Sequence, residues 1–273
     1  MKTWFITGTS RGFGREWAEA ALERGDRVAA TARDVRSLDP LVEQYGDAVL
    51  PLALDVTDRE AVLVAVAEAH ARFGRLDVVV NNAGYGLFGM VEEISEAEAR
   101  AQIETNVLGA LWVTQAALPY LRAQGGGHLV QVSSIGGITA FVGLGLYHAS
   151  KWALEAFSQS LALEVAPFGI KVTLVEPGGF DTDWAGASAV RATELAAYAE
   201  QHEAARNRPT ARAPKGDPTA TRAAILEIVD LDEPPLRVFF GKAPLGMAEA
   251  EYERRLENWR RWQPLSERAH GDR

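Results

Sequence analysis

The chain has 273 residues, enough for one large domain or two small ones, and its 47% hydrophobic and 24% charged content is that of an ordinary globular protein. A net charge of −9 argues against nucleic acid or an anionic membrane as the main partner, and no apolar run is long enough to span a bilayer. With no cysteine there is no disulfide framework, thiolate nucleophile or Cys-based metal site, which agrees with a reducing, cytoplasmic setting.

Taken in chain order, the first apolar run, residues 4–7, has no signal-peptide cleavage region after it and reads as a strand. Further runs of strand length follow at 27–31, 49–54, 78–80, 128–133 and 171–175. Stretches of helical period lie between them, such as 59–73 and 97–121. Apolar strands alternating with helices predict an α/β fold: a doubly wound, Rossmann-type parallel sheet covered on both faces. Ser95 and Glu98 have capping-box spacing, Gly74 stands where a helix would stop, and Asp217-Pro218 reads as a cap with a first-turn proline. No repeat or linker divides the chain, so residues 1–273 read as one domain. Residues 184–218, alanine-rich and then polar with prolines, read as a helical excursion that closes over the substrate. Residues 244–273 read as a C-terminal helical extension in which charges alternate with tryptophans.

Directly after the first strand comes Gly8-Thr9-Ser10-Arg11-Gly12-Phe13-Gly14, then a helical stretch over 15–24. Glycines allow a tight turn and close approach of a pyrophosphate, and the helix presents free N–H groups to that anion. Its place between strand and helix separates it from a bare glycine triplet. Where the second strand ends, a carboxylate would take the ribose 2′-hydroxyl of NAD. Here Ala32 stands at that position and Arg33 follows, with Arg11 close enough to join it around a 2′-phosphate. The expected cofactor is NADP(H), while Asp34 remains a second candidate for the ribose.

Tyr147 and Lys151 stand four apart in a helical segment and share a face. An ammonium about 4 Å from the phenol at an effective dielectric near 20 supplies about 4 kcal/mol. That is enough to bring a tyrosine from about 10 to near 7, so Tyr147 is expected to exchange protons at neutral pH. Ser134 ends a buried-type strand upstream, where α/β sheets present ligands, and Asn106 lies in an apolar helix where an amide needs polar partners.

With these motifs in order, the sequence resembles the short-chain dehydrogenase/reductase family over about residues 1–184. It carries Thr7-Gly8-x-x-x-Gly12-x-Gly14, Asp55, Asn81-Asn82-Ala83-Gly84, Asn106, Ser134, Tyr147-x-x-x-Lys151 and Pro177-Gly178. Within the family, the stretch from Asn82 to Gly89 and the long C-terminal part look like the 17β-hydroxysteroid-dehydrogenase-like group. The resemblance implies that Asp55 and Val56 frame the adenine and that Asn82, Ala83 and Gly84 pass beneath it. It implies that Pro177, Gly178, Phe180 and Thr182 meet the nicotinamide, although Phe180 and Asp181 depart from the usual residues there. Asn106 would hold a water in a proton relay through Lys151, and Ser134 would bind the substrate oxygen.

The function expected is NADP(H)-dependent interconversion of a ketone and a secondary alcohol, with Asn106, Ser134, Tyr147 and Lys151 as catalytic residues. The uncharged wall containing Ile135, Phe141 and Val142, with Tyr85 and Trp184, suits a lipophilic or aromatic ketone. An NADP(H)-binding redox-sensing regulator is the alternative, disfavoured because sensing needs no acid/base. A longer-chain epimerase or dehydratase is disfavoured by glycine spacing and chain length. The five histidines show no metal-ligand spacing. By resemblance, the helices around 97–121 and 149–167 build a homodimer or homotetramer.

Overall fold

The computed structural model describes residues 1–186, 188–207 and 214–271. The elements in chain order are β1 (Thr3–Ile6), α1 (Gly12–Glu23), β2 (Arg27–Ala32), α2 (Asp39–Tyr45), β3 (Val49–Ala53), α3 (Arg59–Phe73), β4 (Val78–Asn81) and a short β5 (Leu87–Phe88). After them come α4 (Glu96–Ile103), α5 (Ala110–Ala123), β6 (Gly127–Val132), α6 (Gly145–Val165) and β7 (Ile170–Pro177). The chain finishes with a short β8 (Val190–Arg191), α7 (Ala199–Arg206), α8 (Thr221–Asp230), β9 (Arg237–Phe240) and α9 (Pro244–His270).

The main sheet runs β3-β2-β1-β4-β6-β7-β9, with all neighbouring strands parallel among the described residues. Trp4, Phe5 and Ile6 are all fully buried, as a strand covered on both faces requires. Successive side chains of β1 serve opposite layers: Trp4 and Ile6 join Trp17 and Val28 on one face, and Phe5 joins Val79 and Leu129 on the other. Strand order reverses between β1 and β4, and in such sheets ligands bind outside the carboxyl ends at that point.

Local punctuation behaves as the residues suggest. Ser95 and Glu98 close a reciprocal capping box, Gly74 stops α3 at φ 80°, and the Asp217 side chain accepts from the Thr219 N–H with Pro218 beside it. Two features differ from the expectation. The helix expected over 97–121 is broken by a π-helical segment, Glu104–Gly109, between α4 and α5. Its cause is visible: Gly109 lies so close to Val56 that a Cβ there would stand 2.6 Å from a Val56 methyl, while the Asn106 side chain is held from outside the helix. A seventh main-sheet strand, β9, pairs with β7 through Leu174↔Arg237 to Pro177↔Phe240, a contact between segments far apart in sequence.

Candidate active site

The turn after β1 is built by conformations and distances that exclude side chains. Gly8 and Gly12 take φ 70° and 59°, in the left-handed region. A Cβ on Gly14 would lie 2.4 Å from the Gly8 carbonyl oxygen and 2.5 Å from Asn82 Nδ2. Arg11 precedes α1 with extended backbone and gives it no side-chain cap. The strand ends on either side of the reversal are stitched together. Thr7 Oγ1 accepts from the N–H groups of Asn82 and Ala83 at 2.9 and 3.0 Å. Asn82 Nδ2 donates to the carbonyls of Thr7 and Gly8 at 2.9 and 3.0 Å. Thr7 thus does structural work that the sequence reading assigned to no residue, although its place before the first glycine was the available signal.

At the end of β2 a recess of 400 Å³ is lined by Ser10, Arg11, Ala32, Arg33, Asp34 and Ser37. Both oxygens of Asp34 are taken by the Arg36 guanidinium at 3.0 Å, and Asp34 also caps the turn through the Arg36 N–H. Asp34 is therefore held as a local cap, which weakens its claim on a ribose. Ser37 is a hydroxyl the sequence reading missed, since it enters the recess only because residues 35–38 form a 3₁₀ turn. Arg11 is not turned toward Arg33 alone: its Nη1 donates to Asp183 Oδ2 at 2.5 Å. Asp55 accepts from the N–H and hydroxyl of Thr57 at the mouth of β3, and Val56 is buried against Gly109.

A cleft of 1990 Å³ joins these residues to Ser134, Tyr147 and Lys151. It also takes in Ala83, Gly84, Pro177, Gly178, Phe180 and Thr182, so the expected cofactor contacts other than Gly14 line one continuous space, while Asn106 lies behind its wall. Tyr147 and Lys151 are 5% and 7% exposed. Lys151 Nζ donates to the Val132 carbonyl at 2.7 Å and lies 5.9 Å from the centre of the Tyr147 ring. Burial pushes the Tyr147 phenol up to about 12, with a hydrogen bond from Ser134 pulling the other way. Burial likewise pushes Lys151 down to about 8, opposed by the Glu155 carboxylate. The expected fall of the phenol toward 7 is therefore not what this geometry gives. Desolvation disfavours both charged forms, and the ammonium faces a carbonyl rather than the phenol oxygen. Burial thus favours the neutral form of the Tyr147 phenol, the form that can donate a proton.

Asn106 is 2% exposed. Its Oδ1 accepts from the Tyr85 N–H at 3.1 Å, and its Nδ2 donates to the Tyr85 carbonyl at 3.0 Å and to Ser150 Oγ at 3.1 Å. A Cβ on Gly84 would lie 3.0 Å from Asn106 Oδ1. The amide fixes the 84–85 loop and ties it to α6 one residue before Lys151, where the sequence reading expected it to hold a water. Tyr85 lines the cleft through a phenol that burial raises, with Glu98, Arg33 and Glu104 as the charges acting on it.

The residues expected to form the substrate wall lie around Tyr147. Trp184 packs on Tyr147 with ring centres 4.9 Å apart and on Phe88 at 5.2 Å. Gly86 leaves room for it, since a Cβ there would come within 2.7 Å of the indole. Phe141 meets His148 edge-on at 5.5 Å, and Val142 stands at the rim, 56% exposed. Ile135 is buried with Ile138 and Ala248, so the start of α9 backs the wall, helped by Arg255 donating to the Ile138 carbonyl at 3.1 Å. Phe180 packs edge-on against Phe13 at 5.1 Å. The 184–207 excursion is tied down by β5–β8 pairing and by polar contacts. Glu93 Oε1 accepts from the Leu195 N–H at 2.8 Å and lies 2.7 Å from His202 Nε2, while Arg206 pairs with Glu194. Arg212 lies outside the described residues.

Residues 2–192 match the family described as short chain dehydrogenase. The chain belongs to the short-chain dehydrogenase family. It is 44% identical to oxidoreductase BOA17 of Botryotinia fuckeliana over 273 residues, spanning 97% of this chain and 98% of that protein. A short-chain dehydrogenase structure from Streptomyces avermitilis is 40% identical with a TM-score of 0.90, covering 98% of this chain and all of that one. The alcohol dehydrogenase of Thermococcus sibiricus, solved with 5-hydroxy-NADP, is 29% identical with a TM-score of 0.72, covering 88% of this chain and 96% of that one. These relatives are oxidoreductases and dehydrogenases, and none supports the regulatory alternative.

Proposed function

We propose that this short-chain dehydrogenase uses NADP(H) to interconvert a lipophilic or aromatic ketone and a secondary alcohol, with Tyr147 as acid/base. The observation that carries the reading is the buried Tyr147–Lys151 pair, with Ser134 beside it, in the same cleft as a glycine turn and an arginine-lined recess. The residues fit the cofactor. Gly14 lets the turn pack tightly on Gly8 and Asn82, and Ser10 and Arg33 offer donors for a 2′-phosphate with Arg11 at the rim, while the Ser37 hydroxyl is spent on the Asp34 carbonyl. The NADP analogue in the Thermococcus sibiricus relative supports the choice.

When bound, the cofactor supplies or accepts hydride. In reduction, Ser134 and Tyr147 polarise the carbonyl, and Tyr147 gives its proton to the developing alkoxide. The Lys151 ammonium would stabilise the phenolate left behind, which favours the donation, and a proton from water would then restore the phenol. Trp184 covers Tyr147 and excludes water. The 184–218 segment would act as the substrate lid, and the start of the 244–273 helix would back the wall at Ile135 and Ile138. Assembly as a homodimer or homotetramer through α4, α5 and α6 is supported by exposed Trp152 and Leu163 on α6. No helix among the described residues is long and apolar enough to cross a membrane.

The test is NADPH consumption against a panel of lipophilic and aromatic ketones, with Tyr147→Phe beside the wild type. The variant should lose about 100-fold or more in kcat while keeping NADPH affinity within about twofold. Turnover within a few-fold of wild type would show that another group donates the proton.

A further inference from the structure

Behind the catalytic residues lies a second group of charges that the reduction does not use. Glu155 stands one helical turn after Lys151 on α6, and Glu176 immediately precedes Pro177 and Gly178 at the end of β7. They are 5% and 1% exposed. Arg237, from β9, reaches both: its Nε is 2.9 Å from Glu155 Oε2 and 3.4 Å from Glu176 Oε1. Its Nη2 also donates to Gln159 at 2.8 Å. Gly137 leaves the space for this group, since a Cβ there would lie 2.8 Å from Ser133 Oγ and 2.9 Å from Glu155 Cγ.

The donors do not suffice for two ionised carboxylates. Glu155 Oε1 and both oxygens of Glu176 are buried without a hydrogen bond, as are the hydroxyls of Ser133 and Ser158. An ionised carboxylate only accepts, whereas a protonated one also donates. A buried pair with one guanidinium between them is neutral when one carboxyl keeps its proton, and two uncompensated charges there would be costly.

We infer that Glu155 and Glu176 share one proton and, with Arg237, form a positioning group that holds the Lys151 turn and the Pro177–Gly178 strand end and sets the charge felt by Lys151. Arg237 from β9 faces both carboxylates, and Lys151 from α6 faces the pair through Glu155. Burial, then the Glu155 charge, pushes Glu176 up to about 8, in agreement with the shared proton. Below that pH the three side chains carry no net charge. Above it a second carboxylate appears beneath Lys151 and helps the ammonium keep its own proton.

The effect on folding is independent of the proposed reduction, while the effect on Lys151 rests on that reading through the cofactor ribose it would hold. A carboxyl whose pKa is raised on folding binds more protons folded than unfolded, so stability falls as pH rises between the unfolded value, near 4.5, and about 8. Glu176→Gln keeps the shape of the neutral acid and removes the titration. Its melting temperature should therefore lose that decline, with Glu155→Gln as a second variant with the same expectation. NADPH binding, followed by fluorescence across the alkaline range, should weaken at a pH lower than in wild type by about one unit. A wild-type decline of melting temperature in both variants overturns the shared proton, whatever the activity. A lost decline with an unmoved alkaline limb overturns the action on Lys151 and leaves only a structural pair. Loss of NADPH binding at every pH, with the decline gone, separates failure of the cofactor reading from failure of the proton pair.

Discussion

Gly14→Ala tests the glycine turn at its tightest point. The added methyl would stand 2.4 Å from the Gly8 carbonyl oxygen and 2.5 Å from Asn82 Nδ2, far inside contact. Neither neighbour is a loose side-chain tip, because the Asn82 amide is bound to the carbonyls of both Thr7 and Gly8. Relief requires opening the turn and giving up one or both bonds. Overpacking costs about 1–3 kcal/mol, and each neutral hydrogen bond contributes about 0.5–1.5 kcal/mol, so the expected destabilisation is about 2–6 kcal/mol. Against a domain stability of about 5–15 kcal/mol that is a large fraction. Gly12→Ala is the internal control. Its Cβ would meet nothing nearer than Thr182 at 3.9 Å, so only the left-handed backbone, φ 59°, is penalised, by about 1–2 kcal/mol. Urea unfolding should rank Gly14→Ala below Gly12→Ala, and fluorescence titration should show the larger loss of NADPH affinity in Gly14→Ala. An inverted ranking, or a Gly14→Ala protein within about 1 kcal/mol of wild type, refutes the contact argument.

Ala32→Asp combined with Arg33→Ser should turn preference from NADPH toward NADH, by placing a repeller where the 2′-phosphate sits and removing an attractor; equal kcat/KM for both cofactors in the unmodified protein contradicts the recess assignment. His128 is pushed down to about 3, first by burial and then by the charges of Lys171 and Lys2. A depressed histidine stabilises the fold above its unfolded value, about 6.5, and that contribution is lost as pH falls toward 3. His128→Gln should therefore flatten the acid limb of a melting-temperature profile, and an unchanged limb places the acid sensitivity elsewhere. Trypsin should cut the free protein at Arg206 or Arg212 and do so more slowly with NADPH and a ketone present; equal rates with and without ligands identify 184–218 as ordinary packed structure.

The parts of this protein legible in its sequence are those fixed by neighbours in the chain. The alternation that gave β1 to β7 its parallel sheet, the Gly8–Gly14 turn and the Tyr147–Lys151 face each depend on a few consecutive positions. Asn106 was legible as a buried amide needing partners, but not the partner, because Tyr85 reaches it through a loop. The π segment was hidden for a similar reason, since Gly109 departs from helix geometry to meet Val56, a residue on another strand end. Arg237 carries no local sign of function; it meets Glu155 and Glu176 only after β9 has joined the sheet edge. The expected lowering of the Tyr147 phenol rests on spacing, which shows that two side chains share a helix face but not how deeply both are buried, and burial pushes the phenol up.

The short turn after Thr182 touches both ends of the cleft through adjacent residues, Asp183 on Arg11 and Trp184 on Tyr147. Occupancy at the cofactor end and at the ketone end thus bears on one small piece of backbone, and linkage makes any such influence reciprocal: whatever factor one ligand lends the other's affinity is returned in equal measure. It also separates inheritance from adaptation. On the proposed function, exchanging the residue at 184 would reshape what the site accepts without disturbing a strand of the sheet, so a lineage could change its substrate while keeping its chemistry.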